Sequence, residues 1–454
     1  MDSLAHHMRR TLALGLPLVG SQVGQVVIGA TDTLMLGRYS VDALAAGVLG
    51  SSVFFTLFVV GVGFAYALTP VVAESVARGQ EREARRATRM ALWLAALFAA
   101  AMLPATWFSA PLMRALGQQE ALAVDVEAYL RIAGLGLWPA LIAATFRAHL
   151  SALERTRVVF WATTAAALAN AGLNWLLIYG NWGLPEMGLR GAAVASVAVQ
   201  VVTAAILLAY ATRGPGMARF ALLRNPLRAD WPVLGRLFRL GWPIGATHLA
   251  ESSLFTVSAL MMGWLGTVPL AAHGIVLQIA AATFMVHLGL SSAATVRVGQ
   301  ARGRGEPGQL RRGAWAALLL SGMFAAAAVL LYMTAGPWLV GLFVDAAEPD
   351  RAAILAMGGL LLLLAAAFQF VDAAQVMALG LLRGLQDTTV PMLWAVLSYW
   401  VLGVPASYVL GFVLGWGPAG IWLGLVVGLT AAAATLMARF WRLAPRPAPV
   451  PASA

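Results

Sequence analysis

"LGLPLVGSQVGQVVIGATDTLMLGRY" (residues 14–39) and "LGWPIGATHLAESSLFTVSALMMGWL" (residues 240–265) are two versions of one segment. Sliding the chain by 226 positions lays "LGLP" on "LGWP", "LMLG" (34–37) on "LMMG" (260–263) and "LAA" (44–46) on "LAA" (270–272). The register holds without a gap to Arg78, Gly79, Arg85 and Arg86, which meet Arg304, Gly305, Arg311 and Arg312, with 19 identities in 73 positions from residue 14. Further on, "LERT" (153–156) answers "LQDT" (385–388) at an offset of 232. Self-similarity over half the chain means that the fold is built twice.

What is built twice follows from composition. Of 454 residues, 61% are hydrophobic and 11% charged, and the mean hydropathy is +0.81, more apolar surface than a soluble core can hide. Apolar runs of about 20 residues recur along the chain, the length that crosses a bilayer as a helix whose backbone bonds are all internal. Hydropathy, turn residues and charges predict twelve spans, at 12–37, 45–70, 90–113, 125–149, 158–180, 190–212, 239–264, 270–296, 314–343, 352–382, 389–413 and 418–440. The expectation is an all-α polytopic membrane protein of two six-helix lobes. An even number of helices per copy gives both copies one orientation, hence an axis along the membrane normal.

The domains expected are an N-terminal lobe at 1–212, a cytoplasmic linker at 213–238, a C-terminal lobe at 239–443 and a disordered tail at 444–454, "APRPAPVPASA". The net charge of +11 is carried by 30 arginines and no lysine. With the N-terminus cytoplasmic, 25 of the arginines fall on the inner side and 5 (Arg38, Arg114, Arg131, Arg190, Arg351) on the outer. That bias is the positive-inside pattern, and it makes nucleic-acid binding the poorer explanation of the charge. Arg9 and Arg10 lead into a full span without a small-residue cleavage site, so the start reads as a retained helix. There is no cysteine, so neither disulfides nor thiolate metal sites arise.

Three of the 19 acidic residues lie well inside apolar spans: Asp32, Glu251 and Asp372. A charge at mid-membrane costs about 2.5–3.5 kcal/mol on insertion scales, which makes a buried acid a functional candidate before a structural one. Helical spacing puts Gln22, Gln25, Gly29 and Asp32 on one face, and His248, Glu251, Phe255 and Ser258 on another. Asn170 and Asn174, one turn apart, would add amide oxygens to the first lobe; interhelical hydrogen bonding competes with cation coordination as their role. In the repeat Asp32 maps to Ser258, Glu251 to Gln25 and Asp372 to Ala140, so the scaffold is duplicated and the acids are not. A buried carboxylate can exchange protons near neutrality. Carboxylate and amide oxygens also suit Na⁺, at Asp32/Asn170/Asn174 or at Glu251/Asp372.

Other signals point away from enzymes and ATP-driven pumps. "GRGEPG" (303–308) and "GWGPAG" (415–420) match G-x-G-x-x-G but follow no strand, and there is no G-x-x-x-x-G-K sequence. The six histidines form no H-E-x-x-H pattern, and no nucleophile, base and metal set converges anywhere.

At this level of detail the chain resembles the multidrug and toxic compound extrusion (MATE) transporters, in particular their NorM-like bacterial branch. The resemblance runs the whole length. It rests on Pro17, "TDTLMLGRYSVDALAA" (31–46), "TPVVAE" (69–74), "GLRGAAVAS" (188–196), "ATVRVGQARG" (294–303) and, most specifically, "VDAAQVMALGLLRGLQDTTVP" (371–391). It implies a secondary-active antiporter of the bacterial inner membrane, with both termini cytoplasmic. Such a protein exports amphipathic, often cationic drugs by alternating access in exchange for Na⁺ or H⁺, with no cofactor, as a monomer in the lipid bilayer. Carried over by motif, Glu251 and Asp372 match the acidic pair of the second lobe. Asp32, Asn170 and Asn174 match the first-lobe cation site, with Ser196 in place of a threonine; Gln25 and Ser258 are supporting candidates from the internal repeat, as the partners of Glu251 and Asp32. Phe368 stands where an aromatic, often tyrosine, precedes the helix-ten acid. His287 replaces a usual proline and Glu74 a usual glutamine. A lipid-linked precursor or polysaccharide flippase of the same superfamily is the alternative; it would line its cleft with cations for phosphate, and few arginines lie inside the spans.

Overall fold

A computed structural model describes residues 3–445. Residues 446–454, most of the expected tail, lie outside the described residues. Twelve long helical segments follow one another: α1 (Leu4–Tyr39), α2 (Val41–Ala77), α3 (Glu81–Trp107), α4 (Glu120–Ala152), α5 (Thr156–Tyr179), α6 (Gly188–Arg213), α7 (Trp231–Leu265), α8 (Thr267–Arg304), α9 (Pro307–Gly341), α10 (Arg351–Gly384), α11 (Thr389–Val413) and α12 (Gly417–Leu443). A short helix, Ser109–Ala115, lies between α3 and α4, and there is no strand among the described residues. Each expected span falls on one of the twelve, so the chain is an all-α polytopic membrane protein of two six-helix lobes.

The helices overrun the apolar spans. At 1.5 Å per residue, the 36 residues of α1 extend about 54 Å, well beyond a hydrocarbon core of about 30 Å. Hydropathy marks only the part in lipid. Thus α7 begins at Trp231, inside the stretch expected as linker. Ends are set by local chemistry: Ser40 caps α2 by accepting from the Ala43 amide at 3.0 Å. Gly305, at φ +68°, closes α8 in the left-handed conformation.

Ten of the twelve are both long and apolar enough to cross a membrane on composition alone. The other two are α5 and α7, and the reason is chemical. Asn170 and Asn174 dilute the apolarity of α5, and His248, Glu251, Ser252 and Ser253 dilute that of α7. Of the candidate site residues, Asn170, Asn174, Glu251 and Ser258 lie on these two helices.

By proximity the chain forms two compact units: Gly20–Gly245, and the residues up to Val19 together with those from Ala246 onward. Helices α1 and α7 therefore each contribute one half to each unit. In the first unit α2 and α7 come together at glycines: a Cβ on Gly63 would lie 2.5 Å from the Gly241 carbonyl oxygen, and one on Gly245 would lie 2.4 Å from that of Val60. In the second unit α10 packs on α8, α9 and α12, around buried Tyr332, Tyr399, Trp422 and Phe440. Helix α11 departs from α geometry in two π-helical stretches, Leu397–Gly403 and Val409–Val413, and the first of them carries Tyr399. Local π-turns of this kind recur at functional sites.

Candidate functional sites

The acid of the first unit is held by neutral donors. Asp32, near the end of α1, accepts at Oδ1 from Asn170 Nδ2 at 2.9 Å and Asn174 Nδ2 at 2.5 Å, both on α5, and at Oδ2 from Ser196 Oγ at 3.2 Å on α6. Asn170 and Asn174 are fully buried, and Asn174 Nδ2 also reaches Asn170 Oδ1 at 3.3 Å. Their spacing of four puts both amides on one face of α5, so a single carboxylate meets both. Asn174 Oδ1 is buried with no hydrogen-bond partner. In this arrangement the amides offer N–H groups to the carboxylate. A half-turn of each would offer oxygens instead, the donor type a hard cation takes.

The expected polar lane along α1 does not join this cluster. Among the described residues no hydrogen bond joins Gln25 to Asp32, whose partners are Asn170, Asn174 and Ser196, and nothing lies within 4 Å of the space a Cβ on Gly29 would take. Asp32 finds its partners on α5 and α6.

The acid pair of the second unit is more deeply placed. Glu251 is 7% exposed and Asp372 3%. Glu251 Oε1 accepts from Gln375 Nε2 at 3.3 Å, one turn along α10 from Asp372. Gln375 Nε2 also donates to the Tyr399 hydroxyl at 2.5 Å, tying α11 to the site. Glu251 Oε2 lies 3.8 Å from His248 Nδ1, and the other ring nitrogen, Nε2, accepts from Arg383 Nη2 at 3.1 Å. The charges of Glu251 and Asp372 are close enough to act on one another and on Tyr399. Asp372 Oδ1 and Gln375 Oε1 are buried with no hydrogen-bond partner. A buried carboxylate oxygen left this way is costly unless a proton or a cation meets it.

The remaining expected residues fall around this pair. Ser258 is buried but bonds the Phe255 carbonyl at 2.8 Å and His273 Nε2 at 3.4 Å, not Glu251. Phe368 packs edge-on against Trp422 (5.6 Å between ring centroids) and Phe255 (6.1 Å), forming an aromatic wall one turn from Asp372. Trp422 is itself fixed by its Nε1 donating to His273 Nδ1 at 3.1 Å. His287 belongs to a separate polar chain in which it meets Ser321 Oγ at 2.8 Å and Gln369 Nε2 at 2.8 Å, while Gln369 accepts from Thr283 at 3.0 Å.

Sequence reasoning did not single out Gln375, Tyr399 or Arg383. Gln375 could have been found, since it shares the Asp372 face of α10 at a spacing of three. Arg383 reads as a loop arginine by position alone. Among the described residues no group of three or more His, Cys, Asp or Glu side chains could hold a metal ion.

A duplicated helical scaffold with polar clusters sunk in apolar spans defines a polytopic membrane transporter. The MatE family model matches residues 17–176 and 243–409 of the chain, one match in each half. The chain is 43% identical over 452 residues, covering 100% of it and 97% of the relative, to a protein named probable multidrug resistance protein NorM from Rhizobium meliloti (strain 1021). It is 38% identical, over 97% of itself and 95% of the relative, to a protein of the same name from Agrobacterium fabrum. Its fold is similar to the crystal structure of the eukaryotic MATE transporter AtDTX14, with a TM-score of 0.86, 18% identity and 97% of each chain covered. The chain belongs to the MatE family: it is a multi-pass membrane transporter, not an enzyme.

Proposed function

We propose that the protein is a multidrug efflux antiporter of the bacterial inner membrane, which carries Na⁺ or H⁺ inward and an amphipathic, often cationic drug outward by alternating access. The observation that carries this reading is the buried acid pair Glu251 and Asp372, in which Asp372 Oδ1 has no hydrogen-bond partner. Such a group changes its stability sharply with the arrival of one proton or one cation, and that sensitivity is what coupling requires. Asp32, with Asn170, Asn174 and Ser196, forms the corresponding element of the first unit. The multidrug names of the two bacterial relatives support the substrate class.

The lobes would act as 1–212 and 239–443, joined on the cytoplasmic side by 213–238, in a monomer with both termini inside. The arginine asymmetry supports that orientation. Energetically the exchange is feasible: one cation in for one monovalent cationic drug out moves no net charge, so each tenfold ion gradient, about 1.4 kcal/mol, sustains about a tenfold drug gradient. For a neutral drug 100 mV adds about 2.3 kcal/mol per charge, a roughly 50-fold gradient. The test uses purified protein in vesicles with ethidium at equal concentration inside and outside. An imposed proton or Na⁺ gradient should drive ethidium out and build a gradient of it. Ethidium flux that responds to neither gradient would refute the antiport reading.

A further inference from the structure

Behind the acid pair stands a fixed positive charge. Arg383, in the last turn of α10, is 8% exposed, and its guanidinium reaches His248 on α7. A guanidinium has no acceptor, so Nη2 donates and His248 Nε2 holds the lone pair. The imidazole hydrogen is then on Nδ1, facing Glu251 Oε2 at 3.8 Å. The other oxygen of Glu251 accepts from Gln375. Donors thus address both oxygens of Glu251, with an arginine one imidazole away, whereas Asp372 Oδ1 has no donor. The charged and titratable groups shown to act on one another here include Glu251 and His248 from α7, Asp372 and Arg383 from α10, and Tyr399 from α11.

Arginine keeps its charge throughout the accessible pH range. The cluster therefore holds two carboxylates against one permanent cation, a surplus of one negative charge. In the internal repeat Arg383 maps to Ser151 and His248 to Gln22, so the first unit lacks this counter-charge. It also has one acid, Asp32, instead of two. Each acid cluster thus carries the same surplus, reached in different ways.

We infer that Arg383, acting through His248, is the counter-charge of Glu251, and that it limits the second-unit site to one monovalent coupling cation. This rests on the antiport reading above. His248 and Arg383 are positioning residues: they set the charge of the site without touching the cargo. Charge arithmetic fixes the consequences. Glu251→Gln leaves no surplus charge, Arg383→Gln leaves two, and the double variant Glu251→Gln/Arg383→Gln returns to one, on Asp372.

The test is gradient-driven ethidium efflux from vesicles, under proton and Na⁺ gradients separately, with size-exclusion profiles to verify folding. Each single variant should lose at least about tenfold in coupled rate, while the double variant recovers to within about threefold of wild type, a non-additivity that only interacting groups give. A double variant no better than Arg383→Gln alone would overturn the inference. Should Arg383→Gln not fold, His248 supplies an independent arm. His248→Gln can still accept from Arg383 and donate to Glu251, and should keep coupling, whereas His248→Leu should lose it. Equal rates for those two variants also overturn the inference. An inactive wild type would refute the antiport reading and this inference with it; an active wild type with no double-variant recovery refutes this inference alone.

Discussion

Gly424 on α12 faces α11 so closely that a Cβ there would lie 2.2 Å from the backbone nitrogen of Ser407, 2.3 Å from its Cα and 2.4 Å from its Oγ. Ordinary carbon contacts begin near 3.5 Å, so Gly424→Ala forces the helices apart by roughly 1 Å. The two nearest of these atoms are backbone and cannot swing aside. Gly420 and Gly428 extend the seam, with added Cβ atoms 2.4 Å from the Leu410 carbonyl oxygen and 2.7 Å from Gly403 Cα, so relief in one place strains the next. Overpacking costs about 1–3 kcal/mol. Loosening the bond from Ser407 Oγ to the Ile421 carbonyl, 3.0 Å long, adds about 1 kcal/mol. Gly172 on α5 is the control, since nothing lies within 4 Å of its added Cβ. There Gly→Ala should stabilise the helix by about 0.5–1 kcal/mol. Thermal unfolding in detergent, followed by size-exclusion fluorescence, should place Gly424→Ala several degrees below wild type and Gly172→Ala at or above it. A Gly424→Ala midpoint equal to that of Gly172→Ala would refute the packing argument.

Other consequences can be measured on the same preparations. Tyr399→Phe removes the hydroxyl that accepts from Gln375 at 2.5 Å; stability should fall by about 1 kcal/mol, and the cation dependence of ethidium binding should shift because Gln375 also holds Glu251. Asn174→Leu deletes a 2.5 Å donor to Asp32 and should cost about 1.5–3 kcal/mol in thermal-unfolding assays, the range for hydrogen bonds to a charged group. Asp230, outside the spans, is held below the usual carboxylate range by its hydrogen bond from Arg86 at 2.5 Å. A depressed carboxylate stabilises the fold above its unfolded value of about 3.9 and stops doing so as pH falls through the folded value. The thermal midpoint of Asp230→Asn should therefore lie below wild type at pH 7 and converge with it in the acid range.

The acids were legible because an apolar background makes a single carboxylate conspicuous. Asn170 and Asn174 were legible as a pair because four residues make one turn. The helix count and the repeat came from periodicities that lipid enforces, so they transfer directly to the fold. Burial at helix ends did not transfer. Arg383 lies near a predicted span boundary, and only the extension of α10 to Gly384 turns it inward onto His248. Ser258 shares the helical face of Glu251 but serves His273 instead, since a face of α7 spans several neighbours and periodicity does not say which one each residue meets. The π-turns of α11 left no periodic signal, and Tyr399 reads as one aromatic among many until its turn of backbone brings it to Gln375.

The central claim is that buried carboxylates hold the driving ion. Its most direct test is ethidium efflux from vesicles under separate proton and Na⁺ gradients, for wild type and for Asp32→Asn, Glu251→Gln and Asp372→Asn. The account expects wild type to move ethidium uphill under at least one gradient, and at least one neutralised variant to bind ethidium yet lose that response. Undiminished ion-driven efflux in all three variants would contradict it.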